Sequence, residues 1–205
     1  MLRMFPLGCT LLPGGRLPLH VFEDRYRRMI TEILAEDRPE FGVVLIIRGA
    51  EVGGGEVRGD HGTVATILQC KRFADGRFAM VTGGTRRFAV ERWMDDRPYP
   101  CAIVRELADR TTPDGLTTDL AYLRSEVRRL NALAVECGEG GADLEVELTG
   151  DPSLDVWRLI DASPLDHHDR HQLLAIDDVG ERCQRFHRQL DEVRSALLHR
   201  LERER

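Results

Sequence analysis

The sequence predicts an α+β protein: a β-rich N-terminal part with one helix inserted among its strands, then a helical C-terminal part ending in a long helix. Three observations carry this. The first hundred or so residues read as several short strands separated by Gly- or Pro-containing turns. One stretch, Phe22 to Ile33, switches to a period of 3.6. Beyond residue 115, apolar residues follow helical spacing to the end of the chain.

The elements follow in order. Phe5-Pro6-Leu7 reads as a first strand and Pro13-Gly14-Gly15 as a turn, since Pro fixes φ and Gly tolerates φ > 0. Arg16–Val21 is a second strand with Leu17, Leu19 and Val21 on one face. Phe22, Tyr26, Met29, Ile30 and Ile33 then form one helical stripe, with acidic Glu23 and Asp24 in the first turn, where the helix dipole favours them. Pro39 ends this helix. Phe41–Ile47 is a continuous apolar run, expected to be a strand buried on both faces. The glycine-rich stretch 49–62 reads as a loop. Thr63–Phe73 is a strand, Asp75-Gly76 a two-residue hairpin signal, and Phe78, Met80 and Thr82 the return strand. Gly83-Gly84 is expected to turn the chain, with Phe88, Val90 and Trp93 continuing the sheet and Tyr99–Leu107 closing it. Short strands of this kind predict a compact β-barrel or folded sheet.

The segment 108–115 is polar and carries Pro113 and Gly115, so a boundary is placed there, between a β-rich subdomain of residues 1–110 and an α-helical one of residues 111–205. Charge supports the division: the first part carries a net +2 and the second a net −8. Leu116, Leu120, Leu123, Val127, Leu130, Ala134 and Cys137 are spaced 4-3-4-3-4-3, a helical seam that Gly138 ends. Pro152–Ala162 is a short helix. Asp166 caps another, His167–Ala175, and Asp177 or Asp178 caps the last, whose stripe is Val179, Cys183, Phe186, Leu190, Val193, Leu197 and Leu201. The two long stripes are expected to pack within one bundle rather than build a dimer.

Composition narrows the function. At 205 residues with 42% apolar and 31% charged residues, the chain can bury a real core and stay soluble. The longest apolar run, Val43–Ile47, is far short of the roughly 20 residues a membrane helix needs, and Pro6, Pro13, Gly14 and Gly15 interrupt any signal-peptide core. Five scattered cysteines form no C-x-x-C and are expected to be reduced, mostly buried thiols of a cytoplasmic protein. The glycines at 53–55 lack the Lys and Ser/Thr of a phosphate loop. His167 and His171 share a helix face, but with no third ligand at matching spacing no metal is expected. His20 reads as a hydrogen-bonded structural histidine, because no nucleophile adjoins it. No cofactor is expected.

Phe5-Pro6-Leu7, Leu12-Pro13-Gly14, Leu17-Pro18-Leu19-His20-Val21-Phe22-Glu23, Arg25-Tyr26 and Met29-Ile30 together resemble the opening of the Lon substrate-binding domain family. Gly62-Thr63-Val64-Ala65, Asp75-Gly76-Arg77, Gly84 with Arg87-Phe88, Ser163-Pro164-Leu165-Asp166 and Gln172-Leu173-Leu174 extend the resemblance over most of the chain. It implies a PUA-like β subdomain followed by a helical bundle, standing alone without the ATPase and peptidase modules of full-length Lon. No Walker A sequence is present, and the sole lysine, Lys71, lies in a predicted strand where it is poorly placed as the base of a Ser–Lys dyad. The function implied is non-catalytic recognition of unfolded or substrate polypeptides, as an adaptor for an ATP-dependent protease supplied in trans or as a holdase, by a monomer or weak dimer. An alternative is RNA binding on a basic sheet ridge of Lys71, Arg72, Arg86, Arg87 and Arg92, against which stand the net charge of −6 and the few aromatics. Lys71, Arg72, Arg86 and Arg87 are the candidate ligand contacts.

Overall fold

The computed structural model describes residues 1–51, 55–96, 98–110, 116–139 and 146–203. Residues 111–115 of the expected linker and 140–145 after the first long helix lie outside the described residues. The chain divides into two compact units, Met1–Ala108 and Asp109–Arg205.

The first unit is a mixed six-stranded sheet holding one helix. Its strands are β1 (Leu2–Leu7), β2 (Arg16–Val21), β3 (Glu40–Arg48), β4 (Val57–Arg72), β5 (Phe78–Trp93) and β6 (Cys101–Leu107), and the helix α1 (Asp24–Ile33) lies between β2 and β3. Strand order is β2-β5-β4-β3-β1-β6, with β1 and β3 parallel. The sheet folds over so that β6 also pairs with β5. The barrel expectation is corrected to a folded sheet. The β1–β6 seam holds through two residue pairs, Leu2↔Ala102 and Arg3↔Cys101, and β2 continues the sheet outward on β5. One edge of β5 serves two neighbours: Phe78–Gly83 face β2, and Arg87–Trp93 face β6.

Both faces of β3 are buried from Phe41 to Leu45, while Ile47 at the end of the expected run is exposed. Phe41 and Val43 join Phe5, Leu19, Val21 and Phe78 in one core, and Val44 joins Met4, Val64, Phe88 and Ala102 in another. Helix α1 plugs the first core with Tyr26, Met29, Ile30 and Ile33. Phe22 does not belong to that stripe. Glu23 is already the extended residue ahead of the helix, so Phe22 precedes it and stands 56% exposed.

Two turn expectations are also corrected. Gly83-Gly84 does not turn the chain, since β5 runs through both. The glycine at 84 serves close approach: its N–H donates to Gly15 O and its carbonyl accepts from Gly14 N–H, and a Cβ there would collide with the Leu12 carbonyl. The 73–77 hairpin closes through Phe73 and Arg77 around three residues, with Gly76 at φ 83° and Asp75 at negative φ, which excludes the two-residue type I′ turn. Residues 57–62 of the expected glycine-rich loop are strand, the start of β4.

The second unit holds α2 (Leu116–Glu136), α3 (Pro152–Ala162), α4 (His167–Leu174) and α5 (Val179–Arg203). The seam of α2 is buried from Leu120 to Cys137, and with Leu197 of α5 its C-terminal end forms a shared core flanked by Val193 and Leu201. Asp151, Asp166 and Asp178 accept backbone N–H groups at the starts of α3, α4 and α5. Arg182 is fully buried: it pairs with Asp109, donates to Ile176 O and lies 4.0 Å over the Trp157 ring.

Candidate functional site

Strand β2 is the outer strand of the sheet. Its alternation sends Leu19 and Val21 into the core and leaves Arg16, Pro18 and His20 exposed. It pairs residue for residue with β5, from Arg16↔Gly83 to Val21↔Phe78, and among the described residues with no other strand. A proline in the middle of a sheet strand fits this position, because an outer strand can forgo a ladder donor.

Two depressions flank β2. One, of about 210 Å³, follows the strand from Leu17 to Val21 and continues along Phe22, Glu23 and Tyr26, with Phe5, Leu7, Cys9 and Glu51 opposite. Its floor is rigid. The Phe5 and Tyr26 rings stack 4.1 Å apart, and Arg25 covers the Tyr26 ring at 4.5 Å while pairing with Glu23. Burial pushes the Tyr26 hydroxyl up to about 12, so it stays neutral. The other depression, of about 390 Å³, crosses the outer face of β2, β5 and β4. Register sets two rows there, His20–Ala79–Lys71 and Pro18–Val81–Gln69. Phe22 and Phe73 stand exposed toward one end of β2 and Leu68, against Gly83, toward the other.

Of the four sequence-derived candidates, Lys71 and Arg72 reach this region, exposed at the hairpin end of β4 with their cationic groups near the Phe73 and Phe78 rings. Arg86 and Arg87 lie farther along β5. Arg86 is engaged by Glu40 at 2.8 Å and Glu106 at 2.7 Å, and Arg87 is 2% exposed with its guanidinium toward the Ala108 carbonyl. The four are therefore not gathered on one surface. His20 is exposed on β2. His171 is buried and His167 and His168 are exposed, and among the described residues no group of His, Cys, Asp or Glu is arranged to hold a metal. Cys137 and Cys183 are buried, Cys9 and Cys101 half-buried and Cys70 exposed. Sequence reasoning missed Phe22 as a surface residue; the signal was Glu23-Asp24, whose charge marks the helix start after it.

The model of the ATP-dependent protease La (LON) substrate-binding domain matches residues 1–192. The chain belongs to the Lon substrate-binding domain family. Its match falls on the non-catalytic substrate-binding module and not on the ATPase or peptidase domains of Lon. This Lon-type domain resembles the Lon N-terminal domain protein of Xanthomonas campestris in solved structure, with 26% identity, a TM-score of 0.64, and coverage of 90% of this chain and 95% of that one. The N-terminal domain of the Mycobacterium avium complex Lon protease has the same fold, at 22% identity and TM-score 0.64 over 93% of this chain and 97% of that one. Among curated relatives, Lon protease 2 of Myxococcus xanthus is 28% identical over 121 residues, 58% of this chain and 14% of that protein. The Lon protease of Flavobacterium johnsoniae is 25% identical over 130 residues, 63% of this chain and 16% of that protein. The chain thus spans about a sixth or less of these curated relatives. No helix among the described residues is long and apolar enough to cross a membrane.

Proposed function

We propose that this domain captures unfolded polypeptides in the cytoplasm without acting on them chemically, and either hands them to an ATP-dependent protease or holds them against aggregation. One observation carries the reading. Phe22, Leu68 and Phe73 are exposed apolar side chains near β2, and the Leu17–Glu23 segment of the family resemblance borders two depressions, one containing Phe22 beside Tyr26 and one, facing solvent, containing Pro18 and Val81. Exposed apolar side chains at the rim of a concave surface suit clients with loose sequence demands. The folded sheet reads as PUA-like. RNA binding finds less support, because Arg86 is occupied by Glu40 and Glu106 and Arg87 is buried.

The test uses reduced, carboxymethylated lactalbumin as a permanently unfolded probe, followed by fluorescence anisotropy. The double variant Phe22→Ser/Leu68→Ser is expected to bind roughly tenfold more weakly, in line with the loss of two apolar anchors, at an unchanged Tm. An unmodified protein that shows no binding to the probe sinks the reading.

A further inference from the structure

The outer edge of β2 has a specific chemistry. Gly84 directs both its N–H and its carbonyl at the Gly14-Gly15 turn, which leads into β2. An antiparallel ladder alternates with a period of two, so Thr82, Met80 and Phe78 also point toward β2, and their partners Leu17, Leu19 and Val21 point back. The Thr82 hydroxyl, donating to Leu17 O at 3.0 Å, agrees with this register. The main-chain groups of Arg16, Pro18 and His20 therefore face away from the sheet. That edge offers two donors, on Arg16 and His20, and three acceptors, on Arg16, Pro18 and His20. No described strand pairs with it.

We infer that a client polypeptide binds this edge as an added antiparallel or parallel strand, its backbone bonded to Arg16, Pro18 and His20. This rests on the substrate-binding reading above and supplies its mode of recognition. Backbone bonding is blind to sequence, and alternate client side chains would meet either the Phe22 cleft or the outer face beside Pro18 and Val81. Pro18 argues for a client rather than a second copy of this chain. A two-fold antiparallel pairing of β2 with itself, in the register of fullest overlap, sets Pro18 against the partner's Pro18: two carbonyls face each other with no donor between them. A foreign strand brings an N–H to the Pro18 carbonyl. The proline thus disfavours that self-pairing while leaving the edge usable by a foreign strand.

The test combines variants with amide hydrogen exchange on the whole chain, with the same lactalbumin probe. His20→Pro removes the outward donor without touching the β5 ladder, and is expected to weaken binding about tenfold; His20→Ala loses the side chain but keeps the donor and is expected to weaken binding clearly less than His20→Pro. In the unmodified protein, exchange at the Arg16 and His20 amides is expected to slow on adding the probe, while that at Leu17 and Leu19 stays slow throughout. This readout holds even if His20→Pro fails to fold. Binding by the parent with unchanged Arg16 and His20 exchange overturns the edge inference and leaves the proposed function standing. No binding by the parent overturns both. A dimer in sedimentation that His20→Pro dissociates assigns the edge to a second copy and overturns the client assignment.

Discussion

Glu40 and Arg86 illustrate how the residue scale escapes a reading of sequence. They lie 46 positions apart, yet both carboxylate oxygens of Glu40 accept from the Arg86 guanidinium. Hydrogen bonding to Arg86 holds the Glu40 carboxyl below its usual value, with burial opposing. A carboxyl depressed in the folded state adds stability above its unfolded pKa and loses it as pH falls through the folded one. Arg86 is more than a third exposed, so solvent screening keeps the gain small. Glu40→Gln is expected to cost about 1 kcal/mol at pH 7, and the gap should close in acid below the folded-state pKa. Urea unfolding at both pH values checks this, and a gap independent of pH would assign the cost to packing instead. A charge count could list Arg86 as a candidate contact but could not see its partners, which come from β3 and β6. Arg182 is the parallel case in the second unit. Nothing in its local sequence separates it from solvated arginines of α5, and only the fold places Asp109 and Trp157 around it.

At the scale of elements, the helices and most strands were legible because side-chain period reports burial. The α2 seam from Leu120 to Cys137 is buried where its spacing demanded. The failures have physical causes. Glycine supports both turns and close backbone approach, and Gly83-Gly84 proves to be the second kind inside a continuous β5. Period alone cannot say where a helix starts: Phe22 fits the stripe of α1 by spacing, although the first turn begins after Glu23. The β2 site was legible as a motif but not as a site, because its open edge depends on which strands pair. Gly84→Ala tests the close-approach account. The added Cβ meets the Leu12 carbonyl, which belongs to backbone and cannot rotate away. A loss of about 3 kcal/mol is expected in denaturant unfolding, as for overpacking in a dense interior. A neutral outcome would show that the 12–15 turn can move off β5.

The whole molecule comprises two compact units, each with its own buried core: Phe41, Val43 and the α1 face in the first, and the α2–α5 seam in the second. Cores that share no residues need not melt together, and a chain of this kind departs from two-state behaviour when its units differ in stability. Leu130→Ala probes this in the intact protein. Leu130 is 1% exposed at the centre of the α2 seam, and its truncation should cost about 3 kcal/mol by lost transfer energy and a residual cavity. The cost should fall on the second unit alone. Scanning calorimetry of the variant is then expected to show the transition of the helical unit moving down by several degrees while that of the sheet unit stays in place. Amide exchange should loosen along α2 and α5 but not along β3 and β4. Binding of an unfolded polypeptide at β2 should survive the substitution unchanged, because every residue assigned to that surface lies before Ala108. A single transition that shifts as a whole, accompanied by loss of binding, would instead mean that the sheet unit depends on the helical one for its stability.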